Sequence, residues 1–130
     1  MNQKRLKLFL SYCFDDELFI QRVSYYFRKQ NDLDPYCYSD KRHENNFIEE
    51  LGINIAESHA FLLFLGPRLG DTQKDEAKLA IAYKIDNRND EFKLRIIELP
   101  EHIQLPPGLT LFKANAPEPI KVKSTNIKKG

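Results

Sequence analysis

Ala60-Phe61-Leu62-Leu63-Phe64-Leu65 is a run of six residues without a polar side chain. A strand at the centre of a parallel sheet, covered on both faces, reads as such a short continuous apolar run. The pattern on either side of it alternates. Leu6, Leu8 and Leu10 repeat at a period of two, Pro35-Tyr36-Cys37-Tyr38 is a short aromatic strand, and Leu94, Ile96, Ile97 and Leu99 form a fourth strand stopped by Pro100. Between these, Phe19, Ile20, Val23 and Phe27 recur at helical spacing behind Asp15 and Asp16. Phe47, Ile48, Leu51 and Ile55 do so behind a capping-box pair, Asn46 and Glu49. A third helix carries Leu79, Ala80 and Tyr83, and Leu109-Thr110-Leu111-Phe112 reads as a fifth strand. Strands and helices alternating at this spacing predict right-handed crossovers. The expected fold is therefore α/β: an open parallel five-stranded sheet flanked by helices, three-layered in the flavodoxin manner.

The 130 residues suffice for one domain. Residues 1–116 are assigned to it, and 117–130, with Pro117, Pro119, Lys123, Lys128 and Lys129, to a C-terminal tail or linker. A formal charge of +1 exerts no global pull on nucleic acid or anionic lipid, so neither is expected as a direct partner. Apolar runs stop far short of the ~20 residues that span a bilayer, and Met1-Asn2-Gln3-Lys4-Arg5 lacks the features of a secretion signal, which points to the cytoplasm. Cys13 and Cys37 are expected as free thiols. His43, His59 and His102 are too scattered to make a zinc site with them, and no metal is expected.

Chemistry in such a sheet collects where the strands end. Three loops converge there: Ser11-Tyr12-Cys13-Phe14, Asp40-Lys41-Arg42 and Gly66-Pro67-Arg68. Glu76 joins them, because Glu76, Leu79, Ala80 and Tyr83 follow i, i+3, i+4, i+7 and put an acid in line with packing residues. A phosphoacceptor receiver is excluded, since the third strand ends in Leu65-Gly66-Pro67 with no Asp to take the phosphoryl group. No G-x-G-x-x-G follows the first strand and no G-x-S-x-G elbow occurs, which removes Rossmann dinucleotide binding and serine hydrolysis. One carboxylate can still cleave an N-glycosidic bond whose base leaves neutral, by stabilising the cation that develops on the ribosyl carbon. Nicotinamide leaving NAD+ is such a case.

The motifs in order resemble a Toll/interleukin-1 receptor (TIR) domain of the bacterial kind. Leu8-Phe9-Leu10-Ser11-Tyr12 with Asp15 or Asp16 is similar to the family's opening motif, and Tyr36 to Asp40 to its second strand and the acidic start of its BB loop. Ser58 to Pro67 is similar to the third-strand motif, Leu65-Gly66-Pro67 through Gly70 with Gln73-x-x-Glu76 to the segment that follows it, and Ile96-Ile97-Glu98-Leu99-Pro100 with Leu105-Pro106 to the fourth-strand stretch. The resemblance runs from about Leu6 to Phe112. It implies a TIR fold and NAD+ hydrolysis to nicotinamide and ADP-ribose or a cyclised product, with NAD+ as substrate and no cofactor. It also implies that Glu76 is catalytic and that Tyr12, and Asp40 with Lys41 in the loop it starts, line the nucleotide pocket.

Ser11, Cys13 and Gly66 flank that pocket, and Arg68 is added from chemistry alone as a pyrophosphate contact. Thr72 stands where the family commonly has Trp, so Phe14 or Phe47 is expected to supply the missing ring. The BB loop lacks its usual Gly, with Glu44-Asn45-Asn46 there instead. The partners implied are other TIR domains, as a homo-oligomer or filament on activation, and a sensor domain or partner protein that clusters them. Such an enzyme would be the assembly-activated effector of a bacterial antiviral or stress defence. Two alternatives stay open at this point: a non-catalytic TIR–TIR signalling scaffold, and a nucleoside deoxyribosyltransferase-like enzyme.

Overall fold

A computed structural model describes residues 5–37, 47–87 and 90–123, without the side chains at 47 and 48. The chain runs β1 (Leu6–Ser11), a 3-10 turn (Phe14–Asp16), α1 (Glu17–Lys29), β2 (Leu33–Cys37), α2 (Phe47–Ala56), β3 (Ala60–Leu65), α3 (Asp71–Asn87) and β4 (Lys93–Glu98). A second 3-10 turn (Pro107–Leu109), α4 (Thr110–Ala114) and β5 (Ile120–Lys121) complete it. All five strands are parallel, in the order β2-β1-β3-β4-β5, so the fold is the expected α/β sheet flanked by helices.

The apolar run is the middle strand. Along β3 the side chains alternate between two cores. Phe61, Leu63 and Leu65 face one that holds Phe9, Leu94, Ile96, Leu51 and Ile55 of α2, Ala77 and Ala80 of α3, and Phe112 of α4. Leu62 and Phe64 face the other, with Leu8, Leu10 and Ile97 and with Ile20 of α1. Both faces of β3 are thus covered, which is why it needs no polar position.

The C-terminal part corrects one expectation. Leu109-Thr110-Leu111-Phe112 is a 3-10 turn running into α4, not a strand. Leu109 and Phe112 are buried while Leu111 is 59% exposed, a spacing of three that a strand with period two could not give. A four-residue apolar run carries too few repeats to tell the two periods apart. The fifth strand is instead Ile120–Lys121, inside the segment read from the sequence as tail, paired Ile97 to Ile120 and Glu98 to Lys121. Two exposed residues in a strand leave no apolar signature. No helix among the described residues is long and apolar enough to cross a membrane. Cys13 and Cys37 are both free thiols.

Candidate active site

Strand order reverses direction between β1 and β3, and the carboxyl ends of these two strands are where an open α/β sheet leaves a crevice. Ser11 is the last residue of β1, opposite Leu63 of β3. α3 begins six residues after β3 ends and returns across this edge, so that its first two turns lie over Ser11. Glu76, on the second of those turns, accepts a hydrogen bond from Ser11 Oγ at 2.7 Å to its Oε1. Only 4% of Glu76 is exposed, and Ser11 is fully buried.

Burial in that setting governs the chemistry of the acid. Removing a carboxylate from water disfavours its charge, and this pushes Glu76 from its ordinary 4.5 up to about 8; the Ser11 hydroxyl opposes the shift and the Asp75 charge adds to it. At neutral pH the unliganded protein therefore holds Glu76 largely protonated. A positive charge arriving within about 4–6 Å would favour the carboxylate again.

Gln73, one turn earlier on the same face, fixes the pair. Its Nε2 donates to the carbonyls of Ser11 at 3.2 Å and Phe64 at 2.6 Å, and its Oε1 accepts the Gly70 N–H at 3.2 Å. One buried amide thus joins the ends of β1 and β3 to the start of α3. Gln73→Met keeps the volume and removes all three bonds, leaving interior backbone groups unpaired at about 1–3 kcal/mol each before relaxation. Chemical unfolding should show the midpoint falling by the equivalent of about 2–3 kcal/mol at unchanged slope. The sequence shows Gln73 three residues before Glu76; that it spans two strands is visible only once the chain is folded.

The remaining expected residues divide. Tyr12 is half-buried against the other core, with Leu8, Leu10 and Ile20 and not with the residues of α3. It hydrogen-bonds the Cys37 thiol, which burial pushes up against the pull of Arg28, with the Glu76 charge adding to the rise. Cys13 is buried, and a Cβ added at Gly70 would meet it in ordinary van der Waals contact. Phe14 lies at the surface, 65% exposed in the 3-10 turn. Thr72 is half-buried in the first turn of α3. Asp40 and Lys41 lie outside the described residues, as does the side chain of Phe47.

Arg68 reaches the same edge but is engaged there. Its Nε and Nη2 donate to the two carboxylate oxygens of Asp15 at 3.0 and 3.3 Å, and this hydrogen bonding, more than the charge itself, holds Asp15 below its usual range. An anion would have to compete with Asp15 for Arg68. Asp16, beside it, packs its carboxylate on the Cα of Gly66, where a Cβ would overlap it. Its Oδ2 is buried without a partner among the described residues, and burial, then the Asp15 charge, raises its pKa. A side chain on Gly66 would have to push that carboxylate aside.

Two cavities among the described residues, about 360 and about 500 Å³, lie along β4 and are not lined by Glu76. The first, at the carboxyl ends of β3, β4 and β5, mixes Glu98, Glu118, Lys113 and Lys121 with an apolar floor; the second is bordered by Lys84, Lys93 and Arg95. What the Glu76 arrangement offers chemically is one acid shielded from water, hydrogen-bonded to a hydroxyl and seated at the carboxyl edge of the sheet. Compared with models of known protein families the chain matches none, and no curated protein matches it.

Proposed function

We propose that this chain is a TIR-type NAD+ glycohydrolase in which Glu76 is the catalytic residue. The observation that carries the reading is the buried Ser11–Glu76 pair at the carboxyl edge between β1 and β3. Nicotinamide in NAD+ bears a positive charge on its ring nitrogen. Binding that cation beside Glu76 favours loss of the carboxyl proton, which restores the charge the reaction needs. The bond between C1′ of ribose and the ring nitrogen then breaks, its electron pair neutralises the pyridinium, and nicotinamide leaves without protonation. Glu76 stabilises the cation left on C1′ until water adds there and gives up a proton. Ser11 holds the carboxylate oxygen in place throughout.

Two observations supply supporting context. The pair lies at the carboxyl edge that open parallel sheets use for ligands, and Ser11, which donates to Glu76, has its own carbonyl held by Gln73 Nε2. In the cell, such a domain would act in the cytoplasm as a defence effector switched on when a sensor or partner gathers copies. The second reading, an interaction module without catalysis, draws on Thr72 replacing the family's Trp and on Arg68 being engaged by Asp15.

The assay that tests the proposal is nicotinamide release from NAD+ by protein clustered on a surface, wild type against Glu76→Gln. Equal release from both would remove the assignment. The pH profile is a separate expected result. Because kcat/KM reports the unliganded enzyme, it should rise about tenfold per pH unit up to about pH 8, whereas kcat, set by the complex, should level off at lower pH. Superimposable profiles for the two parameters would contradict coupling between substrate charge and Glu76.

A further inference from the structure

The cavity of about 360 Å³ at the carboxyl ends of β3, β4 and β5 has no part in the Glu76 chemistry. Ligands of open α/β sheets lie outside the carboxyl ends of the strands, and this volume stands at the low end of the range for small-molecule sites. The floor is apolar. Leu65 and Ile96 are buried strand residues, and half-buried Ile103 and Leu105 close the cavity from the segment that follows β4. Backbone hydrogen bonds fix these walls: Ile103 N–H donates to the Gly66 carbonyl and Val122 N–H to the Glu98 carbonyl, each at 2.9 Å. Walls fixed in this way lose little freedom when a ligand enters.

Four charges of both signs surround that floor. Glu98 is the most buried of them, its side chain 17% exposed, and His102 flanks it. His102 Nδ1 lies 2.7 Å from the Leu99 carbonyl, which can only accept, so Nδ1 carries a proton and Nε2 faces Glu98 Oε2 at 3.7 Å. Glu118 stands on the rim with the exposed Lys113 and Lys121, and Lys121 is the register neighbour of Glu98 across β4 and β5. Among the described residues no ion pair joins Glu98 or Glu118 to either lysine. The two signs are thus held apart around one hollow. A plain anion such as phosphate would meet the glutamates as well as the lysines, and a metal cation would meet the lysines as well as the glutamates. A molecule bearing both charges satisfies both pairs, and the apolar floor takes a hydrocarbon body.

We propose that this cavity binds a free apolar α-amino acid. Its ammonium group pairs with Glu98, with Glu118 as a second acceptor at the rim, its carboxylate meets Lys113 and Lys121, and its side chain lies on the floor at Leu65 and Ile96. The site stands apart from the function proposed for Glu76, which does not line the cavity. Binding is measured without NAD+, so its failure and a failure of NAD+ cleavage are separate results.

Titration of the full chain with L-leucine and L-phenylalanine, followed by calorimetry and by amide NMR shifts, tests it. Both should bind saturably at one site, with shifts centred on residues 96–105 and 113–121. Phenethylamine lacks the carboxylate and 3-phenylpropionate lacks the ammonium group, and each should bind at least about tenfold more weakly than L-phenylalanine. Glu98→Gln, with its fold checked by melting temperature, should weaken L-phenylalanine at least about tenfold and leave 3-phenylpropionate no weaker, because that ligand has no ammonium group to pair. The double variant Lys113→Gln, Lys121→Gln should do the reverse, weakening L-phenylalanine and sparing phenethylamine. The proposal is overturned if neither amino acid binds saturably up to its solubility, or if the shifts centre on Ser11 and Glu76. Equal binding of the three phenyl ligands would mark mere filling of an apolar hollow and overturn it too. A Glu98→Gln effect of one size on all three would assign Glu98 to the structure and overturn it equally.

Discussion

Glu76→Gln should lower nicotinamide release by at least about 10²–10³-fold at saturating NAD+, with KM changed far less. The substitution is nearly isosteric and its Oε1 can still accept from Ser11 Oγ, so the crevice between β1 and β3 keeps its shape. What disappears is the negative charge that develops when the pyridinium arrives. The ground state feels that loss only partly, whereas C1′ carries most of its positive charge in the transition state, which is why kcat and not KM should take the effect. Turnover by the variant within a few-fold of wild type would leave Glu76 without a catalytic role. Ser11→Ala makes the finer test. It should reduce kcat by a smaller factor, about tenfold, because it frees the carboxylate to rotate without removing it.

The same substitution should stabilise the protein at alkaline pH and leave it unchanged in acid. Below the ordinary pKa of 4.5, folded and unfolded chains both hold the proton, and whatever Glu76 contributes is fully present. Between 4.5 and about 8 the unfolded chain ionises while the buried group does not, and stability drains away with each pH unit. Above about 8 both forms are charged and the loss is complete. At 1.36 kcal/mol per pKa unit the total is on the order of 3–5 kcal/mol. Other carboxylates add their own dependence in both proteins, so the quantity to measure is the difference in unfolding free energy between Glu76→Gln and wild type. It should grow from near zero at pH 4.5 to a few kcal/mol in favour of the variant at pH 8. A difference independent of pH would mean that Glu76 titrates near its ordinary value and is open to water.

The architecture was legible because its signals are local. Six apolar residues at Ala60–Leu65 demand cover on both faces, and helical spacing in Glu17–Lys29, Phe47–Ala56 and Asp71–Asn87 supplies the helices that provide it. The position of Glu76 on α3, on a face with Ala80, followed from the same periodicity. Where too few repeats exist, the reading failed: Leu109–Phe112 is turn and helix, and β5 at Ile120–Lys121 has only two exposed residues to announce it.

The sequence alone determined the α/β plan, the parallel sheet and the placing of one acid near its carboxyl edge, since these follow from spacings within single segments. Tertiary structure decided what that acid is. Ser11 and Glu76 are 65 residues apart in the chain, Gln73 and Ser11 are 62, and Asp15 and Arg68 are 53. Contacts over such separations depend on how α3 crosses the ends of β1 and β3, and no pattern within one segment encodes the crossing. Burial of Glu76, its raised pKa and the engagement of Arg68 by Asp15 all arise there, because the local dielectric and the partner of each charge are set by neighbours that only the folded chain brings together.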